Sequence, residues 1–286
     1  MANPGDRRSK QPRRSAGGSD SQDKGKSRGK RIPPPPKDRR RGQDGDDRAA
    51  RTADDDIRIE RVDQRPRNKK SKKSGKSTSK RGVDVAGVDM PGVGAATATK
   101  LQRRLAEAAR AFEAERFTEA EQSLQSIQRL APGVPEVHEL LGLTHYRMGR
   151  WIKAINELER FYELTNSVEQ HPVWADCCRA LKRWTKAEEL WQQLGEASPG
   201  PELVEEGRIV QAGTLADRGR LDDAIRFLER APKVKGKPAL HHLRRWYVMG
   251  DLYERAGDQS RARRLFADIA RAEPDFGDAA ERAGGL

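Results

Sequence analysis

The first hundred residues contain no aromatic side chain and no leucine. Beyond Met1 their larger apolar residues are nine Ile, Val or Met, among them Ile57, Ile59, Val62 and Met90. Burying all nine would return about 20 kcal/mol, at about 2 kcal/mol each. Ordering about a hundred backbone residues costs about 100 to 200 kcal/mol. That shortage excludes an autonomous core, and residues 1–98 are expected to be a long disordered tail. Cysteine is nearly absent too. Cys177 and Cys178 are adjacent, which excludes a disulfide-stapled secreted framework and suits a reducing compartment. Nowhere do 18 apolar residues run together, and the basic N-terminus lacks the apolar stretch of a secretory signal. A cytoplasmic location without membrane contact is the expectation.

What the chain does have is charge, unevenly placed. The net charge is +13. Residues 1–100 hold 28 Lys+Arg against 14 Asp+Glu, whereas residues 101–286 hold 29 against 30. Within the tail the sign alternates: +10 over 1–41, −4 over 42–63 and +9 over 64–82. Such blocks stay solvated and attract polyanions. Arg39, Arg40, Arg41, Lys69, Lys70, Lys72, Lys73 and Lys76 are the candidate polyanion-binding residues, for nucleic acid or the ribosome. With no aromatic to stack on bases, contact would be to phosphates and independent of sequence. A solubilising extension without a fixed partner and a segment that folds on docking are the alternatives. Pro33–Pro36 suits a short polyproline II rod. Ser74-Gly75-Lys76-Ser77-Thr78 imitates the end of a phosphate-binding loop, but Lys70 stands where the motif needs glycine, and no apolar strand precedes it.

From Leu101 onward a small residue recurs with a large apolar one four places later: Ala120 with Leu124, Ala154 with Leu158, Ala187 with Trp191, Ala224 with Leu228, Ala262 with Phe266. The intervals of 34, 33, 37 and 38 residues are the period of a helix-turn-helix array. Turn glycines fit at Gly149, Gly219 and Gly257, where positive φ is needed, with Glu115 and Lys182 departing from the pattern. Pro132, Pro199 and Pro274 end units because proline cannot continue a helix. Residues 196–203 and 231–238 read as turn-rich loops that lengthen the last two intervals, the second carrying Lys233, Lys235 and Lys237.

The run from Leu141 to Ala154, LGLTHYRMGRWIKA, closely resembles the tetratricopeptide repeat (TPR), and the likeness extends to small cytoplasmic TPR proteins of high-GC bacteria. The resemblance implies an all-α fold: a TPR-type α-solenoid of about five repeats, near 101–134, 135–167, 168–201, 205–238 and 243–274, within a domain spanning 99–286. A capping helix at 275–284 would follow, with Phe276 and Ala280 inward and Asp278, Glu281 and Arg282 outward. Small pairs such as Gly142 with Ala154 and Gly250 with Ala262 would let paired helices touch. Cys178 takes a core slot.

Reaction chemistry is hard to find in this pattern. His138 and His145 lie seven residues apart, about 10 Å along a helix, too far for one metal with bonds near 2 Å. His241 and His242 are consecutive and should diverge around a helix. Glu157, Glu159 and Arg160 read as a solvated face. No enzymatic activity, cofactor, metal or small-molecule substrate is expected.

The TPR resemblance places a partner in a concave groove lined by the first helices. Carrying that register over gives Leu105, Ala109 and Phe112, then Glu139, Leu143, Tyr146 and Arg147, then Asp176 and Arg179, then Ile209 and Gly213, and finally Arg244, Tyr247, Asp251 and Glu254. Taken singly, each is an ordinary helix position. A mixed-sign face with two tyrosines suits a polar peptide or protein segment. The Asn and Lys/Arg that clamp a chaperone's C-terminal carboxylates are replaced by Leu105, Ala109 and Leu143. The expected function is therefore a protein-interaction scaffold, with sequence-independent nucleic-acid or ribosome association through the tail as the alternative.

Overall fold

Proline, a large apolar residue and a left-handed turn set the helix boundaries. The computed structural model describes Val83 and residues 85–284. Among the described residues there are eleven helices and no strand: α1 Ala95–Glu113, α2 Phe117–Gln128, α3 Pro135–Arg147, α4 Trp151–Thr165, α5 His171–Ala180, α6 Trp184–Ala197, α7 Pro201–Asp217, α8 Leu221–Glu229, α9 Leu240–Arg255, α10 Gln259–Ala272 and α11 Ala279–Gly284. Pro135, Pro172 and Pro201 occupy the first turns of α3, α5 and α7, where a missing N–H costs nothing. Each pair closes the same way. The residue after the turn donates its N–H to a carbonyl five back: Arg116 to Ala111, Arg150 to His145, Arg183 to Cys178, Arg220 to Leu215 and Asp258 to Tyr253, at 2.8–3.0 Å. The residue before each donor is left-handed, at Glu115, Gly149, Lys182, Gly219 and Gly257, as a Schellman closure requires.

Small residues then let the helices of a pair touch. A Cβ added at Gly142 would lie 2.5 Å from Leu158 Cδ2, and one at Gly250 would lie 2.6 Å from the Phe266 ring. Gly207 makes a comparable approach between units, 2.3 Å from Leu194 Cδ2; the repeat pattern gave no sign of it. Burial continues along the array, through Leu105, Leu124 and Leu140, then Leu158, Trp174 and Leu190, then Leu228, Leu252 and Phe266.

Four expectations need correction. Order begins before residue 99: α1 starts at Ala95, and a strap ahead of it buries Val88 and Met90 against Leu101 and Leu105. Gln102 Nε2 donates to the Val88 carbonyl at 2.7 Å. Residues 196–203 are not a long loop. Glu196 and Ala197 end α6 and Pro201–Leu203 begin α7, so only 198–200 connect them. The third interval is long because α7 has 17 residues where α5 has 10. The cap helix is confined to Ala279–Gly284. Its inward residue is Ala279, while Ala280 is exposed, and Arg282 turns inward. Leu105, Ile209 and Gly213 are buried positions: Leu105 packs in one cluster with Val88, Met90 and Leu124, and Ile209 in another with Ala224, Leu228 and Leu243.

Candidate functional site

The first helices α1, α3, α5, α7 and α9 stand side by side, and polar side chains bridge each neighbouring pair. Arg147 reaches Glu115 at 2.8 Å and lays its guanidinium 4.8 Å from the Phe117 ring centre. Between α3 and α5, Tyr146 Oη donates to Asp176 Oδ2 at 2.7 Å, and Gln170 Nε2 donates to Glu139 Oε1 at 2.7 Å. Arg179 donates to Asp176 at 2.8 Å and continues to Asp217 at the end of α7. Arg244 on α9 pairs with Glu206 on α7. Leu143, Tyr146, Arg147, Asp176, Arg179 and Arg244 keep partial exposure, so this face combines half-open side chains with fixed geometry.

The last step of the ladder is closed. Tyr247 Oη donates to Asp278 at 2.6 Å, Arg282 pairs with Asp251 at 2.6 Å and with Glu254, and the Arg282 guanidinium sits 4.0 Å from the Phe266 ring centre and 5.2 Å from that of Tyr247. Burial and the bond to Asp278 push the Tyr247 hydroxyl up to about 12. The sequence register thus brings Tyr146, Asp176 and Arg179 together, while Tyr247, Asp251 and Glu254 lie under the cap. The cap's own Asp278 and Arg282 also line this face, an acid followed one helical turn later by an arginine, as at Asp176 and Arg179.

Buried polar groups are structural in geometry. His138 Nδ1 lies 2.7 Å from Glu157 and Nε2 lies 2.9 Å from the Pro132 carbonyl. Burial opposes charge on that ring, but both acceptors together hold its pKa above the usual value. Glu157 is therefore not part of a solvated face: burial works against its charge, and bonds from His138 and Gln128 still keep it below the usual carboxylate value. His241 and His242 do not diverge either, their Nε2 atoms lying 3.2 Å apart. Ala239 N–H donates to His242 Nδ1, so His242 Nε2 carries the proton shared with His241. Cys177 and Cys178 are buried free thiols; burial raises both, Cys178 to about 12, which disfavours the thiolate a nucleophile needs. Among the described residues no group of three His, Cys, Asp or Glu could hold a metal ion, and no helix is long and apolar enough to cross a membrane.

The sequence profile of the tetratricopeptide repeat matches residues 102–167, the helix pairs α1–α2 and α3–α4. The described domain is a tetratricopeptide-repeat array. Solved TPR structures share its fold. A thermophilic TPR protein of Thermus thermophilus is 17% identical with a TM-score of 0.51, the match covering 64% of this chain and 96% of that one. A TPR protein of Parabacteroides merdae is 15% identical with a TM-score of 0.51, covering 64% and 69%. No curated protein sequence matches the chain. Arg39, Arg40, Arg41, Lys69, Lys70, Lys72, Lys73 and Lys76 all lie outside the described residues.

Proposed function

We propose that the chain is an interaction scaffold whose TPR array holds a polar peptide or protein segment against its first helices. The observation that carries this reading is the strip from Tyr146 through Asp176 and Arg179 to Asp217, four polar side chains from three successive first helices joined in one hydrogen-bonded row. Ion pairs already formed in the free protein fix these side chains before a partner arrives, so less rotamer entropy is lost on binding. Tyr and Arg are also the residue types that dominate interface hot spots. The partner-binding segment is thus centred on α3, α5 and α7, with Leu143 and Arg147 at its edge and the α9 end occupied by the cap. As in most TPR scaffolds, binding rather than catalysis is the activity.

The test uses the full chain. Tyr146→Ala with Arg179→Ala removes the row's aromatic and its guanidinium, and should weaken capture of the main partner about thirtyfold or more. Melting should also fall, because Arg179 is largely buried and its loss leaves Asp176 unpaired, so capture is compared at a temperature where both chains are folded. Tyr247→Phe, under the cap, should leave capture intact. Capture that survives the double change but fails in Tyr247→Phe would overturn this placement.

A further inference from the structure

Between Glu229 and Asp251 the chain has no acidic residue, yet this stretch holds six Lys or Arg and two His. Its first part, residues 230–239, is the longest connection between helix pairs; the other three cover 129–134, 166–170 and 198–200. Lys233, Lys235 and Lys237 are exposed, and among the described residues no carboxylate forms an ion pair with any of them. The backbone beneath them is nonetheless held. Buried Arg245 donates to Glu205 at 2.9 Å and to the Pro232 carbonyl at 3.2 Å. Ala231 packs into the core, Val234 and Pro238 are half-buried, and Ala239 N–H is bound by His242 Nδ1 at 3.0 Å. Burial together with the positive neighbours His241 and Arg245 depresses the His242 pKa, with Glu205 opposing them.

A pinned loop that displays three free ammonium groups is poorly explained as packing, because none of the three touches an acid. It loses little backbone entropy when it meets a multivalent anion. Lysines act as point charges without directional demands, and no aromatic in the loop offers a base a stacking surface. We propose that residues 230–239 form a contact site for the phosphate backbone of single-stranded nucleic acid, built into the folded array and separate from both the tail and the first-helix face. Binding there is independent of base sequence and steeply dependent on salt.

The experiment compares the full chain with its Lys233→Ser, Lys235→Ser, Lys237→Ser triple variant, using labelled oligouridine at salt from about 50 to 200 mM. Each phosphate contact on a single strand contributes about 0.7 to the log–log salt slope, so the triple change should make the slope shallower by about 2. The affinity gap between the two chains then narrows about sixteenfold across that salt range. Thermal melting should not change, because the lysines pair with nothing. An unchanged slope overturns the proposal. So does a slope that stays the same while binding to polyglutamate or to phosphatidylserine vesicles falls, since the loop would then serve an acidic protein or a membrane. Serine at Lys69, Lys70, Lys72 and Lys73 serves as the second variant. If the loop is a separate site, its effect adds to that of the triple change, and a slope abolished by the tail change alone overturns it.

Discussion

The junction between the second and third repeats and the junction between the fifth repeat and the cap use the same parts to opposite ends. At each, a tyrosine on a first helix donates to an aspartate about thirty residues on, Tyr146 to Asp176 and Tyr247 to Asp278, and an arginine one turn later engages the same acid, Arg179 and Arg282. At the inner junction Tyr146 stays half-exposed and Arg179 passes its charge along the face to Asp217. At the outer one Arg282 folds over Tyr247 and Phe266, and no following helix is needed. The cap thus reproduces the chemistry of a next repeat in six helical residues and ends the solenoid by consuming the contacts that elsewhere remain available. A terminal repeat needs such cover for its exposed apolar face.

The largest way to break that likeness is to remove the floor under the cap. Phe266→Ala should cost about 3–5 kcal/mol, because the ring is fully buried and carries the Arg282 guanidinium. At about 2–4 °C per kcal/mol for a domain of this size, the melting temperature should drop by about 6–20 °C. Amide exchange should rise first in α9 to α11, with the Tyr146 junction protected. Equal loosening at both junctions would mean that the cap does not end the array locally.

The next change acts inside the second repeat, next to the inner junction. Gly142→Leu would force atoms into Leu158, which a bare Cβ already approaches to 2.5 Å, and should cost about 1–3 kcal/mol or more. Gly207→Leu should behave alike, with Leu194 at 2.3 Å, although no repeat pattern marks that residue. The check is a denaturant midpoint for each variant.

Those two glycines show what was legible. Gly142 falls in a thirty-odd-residue period, and periodicity exposes any contact repeated in every unit: the small–large pairs, the left-handed turns and the prolines. Gly207 is a single meeting of α6 and α7, so nothing in the sequence repeats it. Individual departures fail for the same reason. The strap that buries Val88 and Met90 is too short and too polar in its surroundings to outweigh the tail's composition. Arg282 looks outward by helical register and turns inward because two aromatic rings and the two α9 carboxylates Asp251 and Glu254 receive it. In the candidate site the register brought Tyr146, Asp176 and Arg179 to neighbouring positions, but gave no sign that the three are already bonded to one another.

The inner junction also answers pH. Burial, with Glu169 and Glu136 adding repulsion, pushes the Glu139 carboxyl up to about 7 despite the bond from Gln170. A raised carboxyl favours the folded state at low pH. Its contribution is complete below about 4.5, the ordinary glutamate value, and disappears as pH climbs to about 7. His138, also raised, acts with the same sign through its own range, present below about 6.5 and lost above its folded value, so Glu139 must be isolated by difference. Glu139→Gln should match the wild type near pH 4 and exceed it at pH 8 by on the order of 1 kcal/mol or more. A gap that shrinks as pH rises would contradict the assignment.

The smallest expected effect concerns the turns inside the repeats. Gly149, Gly219 and Gly257 hold φ of 75–80°, and Glu115 and Lys182 hold φ of 62° and 57° in the same closure. A side chain there costs about 1 kcal/mol against glycine, partly offset because glycine also loosens the unfolded chain. Lys182 is exposed and no ion pair holds it among the described residues, whereas Glu115 bonds Arg147 across repeats. Lys182→Gly should therefore raise stability by about 0.5 kcal/mol, while Glu115→Gly should gain less because it gives up that bond. Paired melts in low and high salt separate the two terms: salt weakens the Glu115 pair, so the difference between the variants should narrow as salt rises. If Lys182→Gly is destabilising, the left-handed turn is not where this repeat stores its strain.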